Sequence, residues 1–225
     1  MVDAVGLRGE ERALVAQYWW QRAAGEMTSW VGWKHVLRDL QVEGSPAPVL
    51  KLAERAVVDE WKHALWCRDF AVQFGHAGGD VTPRGERPLT LDGATERENR
   101  LARIALCCFT ETVGCFTLTN VRGVLRDGAF RKQNQAHLAD ELQHSRTGWA
   151  HLSTLDATAR AVLKRRLPEL LALARRICCD GKEQHAELLI PFGYFTPELL
   201  ASAHDEALRE VILPGLHHVG ILEAA

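Results

Sequence analysis

Asp59-Glu60-Trp61-Lys62-His63 and Asp140-Glu141-Leu142-Gln143-His144 repeat one pattern, Asp-Glu-x-x-His. On a helix, Glu and His three residues apart share a face, so each copy offers a cation one carboxylate and one imidazole from the same side. A single copy would ordinarily be a solvated pair. Here each copy has a companion: Glu26 precedes Glu60 by 34 residues, and Glu111 precedes Glu141 by 30. A helix of roughly 28 residues is about 42 Å long, so half a helix, a turn and half a helix back is about that separation. Each companion glutamate therefore returns to the depth of its motif, and the chain reads as two similar helical hairpins.

Four carboxylates aimed into a helical core need positive charge between them, because a buried charge without a partner costs several kcal/mol or takes up a proton. Two divalent cations would supply it. Glutamate oxygen and imidazole nitrogen together suit iron or manganese better than structural zinc, which favours thiolate-rich closed sites. Asp59 and Asp140 each precede a motif histidine by four residues, and they are expected to hold an imidazole N–H from beside the ligands. His137 lies on the same helix face as Glu141 and His144, which makes it a candidate third imidazole. Glu10, Glu11 and Glu43 compete with Glu26, but they fall at helix ends or in a turn, whereas Glu26 sits mid-helix among Trp19, Trp20, Trp30 and Trp33.

The elements that must carry these residues are all helical. A first helix is expected from about Arg8 to Leu40, with a turn at Val42-Glu43-Gly44-Ser45. Ser45 is expected to cap a second helix that has Pro46 at its first position and runs to about Gly75. From Gly75 to Gly93 the Gly and Pro content excludes helix. That connection, about 18 residues at about 3.3 Å each, can travel back along a helix and start the third parallel to the second. The third is expected from near Thr95 to Asp127-Gly128, and the fourth from Arg131 to His151. A fifth segment, Ala157 to Cys179, should be broken or kinked at Pro168, and a last helix should open at Thr196-Pro197-Glu198 and end before Pro214-Gly215. The expected architecture is all-α: one domain over residues 1–225, with a four-helix bundle at about 8–152 and covering helices at about 153–225. In such a bundle the long crossover is a ferritin-like feature.

Composition narrows the function classes. The chain has 225 residues, 47% hydrophobic and 25% charged, with a net charge of −2, which provides a sizeable core and no basic stripe for nucleic acid. Charged residues among the first dozen argue against a secretory leader there. Arg103 and Glu111 interrupt the most apolar stretch, Leu101 to Leu118, so a cytoplasmic protein without a membrane span is expected. The six cysteines include no Cys-x-x-Cys pair and read as core residues of a reducing compartment. Cys108, Cys115 and Gly114 around Glu111 could leave room for a substrate, with Trp30 and Trp33 as further walls. Gly25 and Gly32 would make room for neighbouring side chains, and His185 reads as an ordinary polar residue beside Glu183 and Glu187.

Glu26, Glu60-x-x-His63, Glu111 and Glu141-x-x-His144 resemble, in order and spacing, the ligand set of the ferritin-like di-iron carboxylate superfamily over about residues 10–150. The fuller pattern His137-x-x-x-Glu141-x-x-His144 is similar to the p-aminobenzoate N-oxygenase family, whose site carries an extra histidine there; this chain is shorter. Its size and the run Asp140–His144 look equally like aldehyde-deformylating oxygenase, and tRNA-hydroxylating members share the six-ligand pattern. The resemblance implies two iron ions, with manganese admissible at one position, dioxygen as co-substrate and a small organic substrate, an amine first. It also implies an external electron donor (ferredoxin, flavoprotein or chemical reductant) and a monomer or homodimer. N-oxygenation, hydroxylation, aldehyde deformylation and iron oxidation or storage all stay open on these residues.

Overall fold

The computed structural model describes residues 7–125, 128–179 and 187–223. Among these every regular element is helical: α1 (Gly9–Val42), α2 (Ala47–Gln73), α3 (Glu96–Val121), α4 (Gly128–Ser153), α5 (Ala157–Cys179), a 3₁₀ segment (Glu187–Phe192), α6 (Pro197–Ala207), a π turn (Leu208–Ile212) and α7 (Leu213–His218). Helices α1 with α2 and α3 with α4 form the two hairpins, while α2 packs on α4 and α1 on α3. Both cross-hairpin pairs are antiparallel: Arg55 meets Asp140 while Phe70 meets Phe130, and Asp39 meets Arg103 while Trp33 meets Glu111. Helix α3 therefore runs parallel to α2, as the long connection was expected to arrange.

Local chemistry sets most of the boundaries. Thr95 and Glu98 form a capping box at the start of α3, with Thr95 N–H donating to Glu98 Oε2 (2.8 Å) and Thr95 Oγ1 accepting from Glu98 N–H (3.2 Å). Helix α2 ends in a Schellman turn, His76 N–H to Ala71 O and Gly75 N–H to Val72 O, which requires the positive φ of 102° that Gly75 adopts. The connection then lies along α1, with Arg84 bonded to Gln21 O and Thr28 Oγ1, and His35 to Glu86 O.

Several expectations are corrected. Ser45 does not cap α2; Pro46 occupies that position, and the Ser45 hydroxyl pairs instead with His151 Nδ1 on α4 (2.8 Å). Helix α3 stops at Val121, short of Asp127-Gly128, in a turn through Arg122-Gly123; Asp127 lies outside the described residues. Helix α4 begins at Gly128 rather than Arg131. Helix α5 continues through Pro168 without a break. Pro168 faces solvent, where water can satisfy the carbonyl deprived of its N–H, and Leu163, Leu167, Leu170 and Ala174 hold the opposite face in the core. Helical structure also continues past Pro214. The π turn precedes it and leaves Pro214 in the first turn of α7, where a missing N–H is harmless.

Helix α3 is the central element. Its inner face meets the bundle, and its outer face is covered by α5, α6 and the π turn through Leu101, Ala105, Phe109, Leu163, Leu170, Ala207 and Ile212. By length and composition it passes as a membrane span despite Arg103 and Glu111, with mean hydropathy 1.5, yet 72% of that window is buried against other helices. Arg103 is itself buried and clamps α3 to α1, giving Asp39 bonds of 2.6 and 2.9 Å. Helices α3 and α4 approach closely at Gly148, where an added Cβ would overlap Cys108 Cβ and lie 2.9 Å from its Cα. Gly148→Ala is therefore expected to destabilise the protein by about 1–3 kcal/mol through overpacking, read as a lower midpoint in urea unfolding with an unchanged slope.

Candidate metal centre

The hairpins bring all seven proposed ligands into two adjoining sets. Glu60, Glu111, Glu141 and His144 form one and Glu26, His63 and His137 the other, with the ligand atoms of each set within 4.8 Å of one another. Glu60, His63, Glu111, His137, Glu141 and His144 are buried and Glu26 is half-buried. The first set could hold a metal ion. Its ligands come from α2, α3 and α4, so it exists only when the hairpins are docked.

Glu60 and Glu141 lie between the two motif histidines. Glu60 Oε2 is 3.7 Å from His63 Nδ1, and its Oε1 is 3.1 Å from His144 Nδ1. Glu141 Oε1 is 3.6 Å from His63 Nδ1 and 2.9 Å from His137 Nε2, while its Oε2 is 3.6 Å from His144 Nδ1. Both Glu60 oxygens, His63 Nδ1 and His144 Nδ1 are buried without a hydrogen-bond partner. Buried polar atoms are normally paired, so orphans converging on one point fit a cation there.

The outer imidazole nitrogens face aspartates across the hairpins, His63 by a long hydrogen bond and His144 at ion-pair distance only. His63 Nε2 on α2 is 3.4 Å from Asp140 Oδ2 on α4, and His144 Nε2 on α4 is 3.8 Å from Asp59 Oδ2 on α2. The expected aspartates thus act on the neighbouring helix rather than their own, which leaves both Nδ1 atoms facing inward. Arg55 joins the two supports, at 3.1 Å from Asp59 and 3.2 Å from Asp140, and Lys62 adds a contact of 2.9 Å to Asp59. Burial would raise the Asp59 carboxyl, but His144, Lys62 and Arg55 outweigh it and hold its pKa well below the usual range.

Sequence reasoning did not single out Arg55, Arg22 or Cys107. Arg55 and Arg22 precede Asp59 and Glu26 by four residues, an i,i+4 ion-pair spacing that was visible but is common on exposed helices. Trp33 was expected as a pocket wall and has a further role: its indole N–H donates to Glu111 Oε1 (3.0 Å), and Cys107 Sγ lies 3.7 Å from the same oxygen. Among the rejected glutamates, Glu43 pairs with Arg97 and Arg100, and Glu11 with Arg8. His185 and Glu183 lie outside the described residues.

A cleft of about 190 Å³ reaches Glu111 from the surface, between α1, α3 and the connection at Gly85–Leu89, with Trp33, Val36, Leu106 and Cys107 among its walls. Trp30 does not line it. It packs on Trp61 with ring centroids 5.2 Å apart. Cys108 and Cys115 are buried in the core instead, and a Cβ on Gly114 would lie 3.7 Å from Glu141 Oε2. Gly25 and Gly32 do not relieve neighbouring side chains, since an added Cβ at either meets nothing within 4 Å; Gly32 opens onto the cleft. No protein family, curated protein or solved structure matches the chain in comparison.

Without a cation the cluster retains protons. Burial and the Glu141 charge push Glu111 up to about 8, and burial also raises Glu26. For His63 burial works downward, but Glu60, Glu141 and Glu26 overcome it and carry the imidazole up to about 9; the carboxylates around His144 raise it likewise. Burial, with the charge of His63, lowers His137 well below the usual histidine range and keeps it a neutral donor. A metal ion must displace the protons on Glu111 and His63. Its affinity is therefore expected to climb as pH rises through about 8 and about 9, with protons released on binding. Calorimetric titration in two buffers of different ionisation enthalpy measures that release, and a pH-independent affinity would contradict it.

Proposed function

We propose that the chain is a ferritin-like di-iron oxygenase that uses dioxygen to oxidise a small organic molecule. The observation that carries this reading is the placement of Glu60 and Glu141, each directing one oxygen toward His63 and the other toward His144. Carboxylates so placed can serve two metal ions at once, with Glu26, His63 and His137 at the far side of one and Glu111 and His144 at the far side of the other. The pairing of α1 with α2 and α3 with α4, with α2 parallel to α3 after a long crossover, supports the ferritin-like assignment.

Two iron ions held there, or one iron and one manganese, would supply dioxygen activation with electrons from an external donor. The residues of the chain do the rest. Asp140 hydrogen-bonds the outer nitrogen of His63 and Asp59 faces that of His144, both tied by Arg55, with each Nδ1 toward the cluster. Trp33 holds one Glu111 oxygen by its N–H and leaves the other free to ligate. His137, kept neutral by burial, adds a nitrogen ligand, and for that reason amine N-oxygenation is the first reaction to test. The cleft ending at Glu111 supports an organic substrate over iron storage, because most of its lining surface is apolar.

Anaerobic reconstitution with Fe(II), followed by elemental analysis, should give about two metals per chain, and Glu141→Ala should lose metal because it removes a ligand from both positions. Metal well below one per chain in the wild-type protein would overturn the di-iron reading. Reduced, iron-loaded protein should then consume dioxygen faster with its substrate present, screened across aromatic amines, fatty aldehydes and hydroxylation substrates. Gly32→Phe grows a side chain into the cleft. It should retain its iron yet turn over that substrate about tenfold or more slowly through misplacement, as measured by product formation.

A further inference from the structure

The two ligand sets differ in one respect that the symmetric sequence pattern conceals. Glu26 already has a cation. Arg22 Nη2 lies 3.3 Å from Glu26 Oε1, with the two side chains equally sheltered at 15% exposure. The guanidinium is held in place between two rings, its carbon 4.9 Å from the Trp19 centroid and 4.6 Å from that of Phe195. The adjoining cavity, bounded by Arg22, His63 and His137, measures about 20 Å³, room for about one water. Arg22 therefore sits in a low-dielectric pocket whose main counter-charge is Glu26. No arginine or lysine is within ion-pair distance of Glu60, Glu111 or Glu141 among the described residues.

We propose that Arg22 acts as a resident cation that makes the metal centre load in sequence, the Glu60/Glu111/Glu141/His144 position first and the Glu26/His63/His137 position second and more weakly. The inference rests on the dinuclear reading above and concerns this chain's own residues. A metal ion entering the first position meets four ligands and no fixed positive charge. An ion entering the second meets Glu26, His63 and His137 with the facing oxygens of Glu60 and Glu141, but its Glu26 is shared with a guanidinium that repels it and that burial leaves poorly screened by water. Arg22 is a positioning residue here, since it acts through Glu26. The consequence is a stable form with one metal at limiting supply, so the protein commits its electron-transfer chemistry only when metal is plentiful.

The test is an anaerobic titration of the full-length metal-free protein with Co(II), followed by visible absorbance and calorimetry, so that no turnover is needed. Wild-type protein is expected to show two resolved events, the second at least about tenfold weaker. Arg22→Met, which keeps the stem and removes the charge, should tighten the second event by about tenfold or more and leave the first unchanged; Arg22→Lys should preserve the separation. Arg22→Gln serves the same purpose if the methionine variant does not fold, as judged by circular dichroism. Two indistinguishable events in wild-type protein, or a second event that neutral substitution leaves unchanged or weakens, would overturn the role of Arg22 while leaving the dinuclear centre standing. Absence of any second event in every variant would instead sink the dinuclear reading itself.

Discussion

Four glutamates converge at the middle of the bundle, three of them deeply buried, and mutual repulsion and lost hydration would drive them apart unless positive charge lay among them. Most of the surrounding architecture answers that constraint. Three imidazoles stand among them, and the outer nitrogens of two, His63 and His144, face aspartates that are in turn neutralised by Arg55 and Lys62 at the bundle surface. Charge thus alternates outward from the centre: carboxylate, imidazole, carboxylate, guanidinium. Each shell holds the next in orientation, and the outermost is the only one that water reaches freely.

This alternation crosses between hairpins. Because Asp140 supports the histidine of α2 and Asp59 that of α4, neither hairpin presents a finished site alone. Docking α2 against α4 and completing the candidate metal site are the same event, so a metal bound there would stabilise the folded state over the unfolded one by linkage. The buried Arg103–Asp39 pair and the close approach at Gly148 fix two further interfaces, α1 with α3 and α3 with α4. Helix α3 is apolar on nearly all sides because α5 and α6 complete its burial, which explains why its composition imitates a membrane span.

The covering helices show how tertiary context overrides local signals. Pro168 and Pro214 are strong helix breakers by propensity, yet one faces solvent within a helix held by its buried stripe, and the other follows a π turn into a new helical start. Gly215, beside Pro214, lets the Trp149 ring approach to 2.6 Å of where a Cβ would stand, a requirement set by packing between α4 and α7 rather than by turn chemistry. Ser45 was an attractive cap on local grounds, but His151, 106 residues away, takes its hydroxyl. In each case the deciding partner is remote in sequence.

The amino-acid sequence by itself determined the helical class and the two hairpins, and it picked out the seven candidate ligands that the fold brings together, because Glu-x-x-His spacing and hairpin length are consequences of helix geometry that need no partner to be read. It also indicated that Asp59 and Asp140 would support the histidines, without saying which one each would hold. Only the tertiary structure decided that the support crosses between helices, that His137 sides with Glu26 and His63, and that Arg22 occupies the same carboxylate. The cleft, too, depends on where the 75–95 connection lies along α1, which its Gly and Pro content left undetermined. Helical periodicity fixes what faces a common side over a few turns; which faces meet, and at what register, depends on packing across the whole bundle.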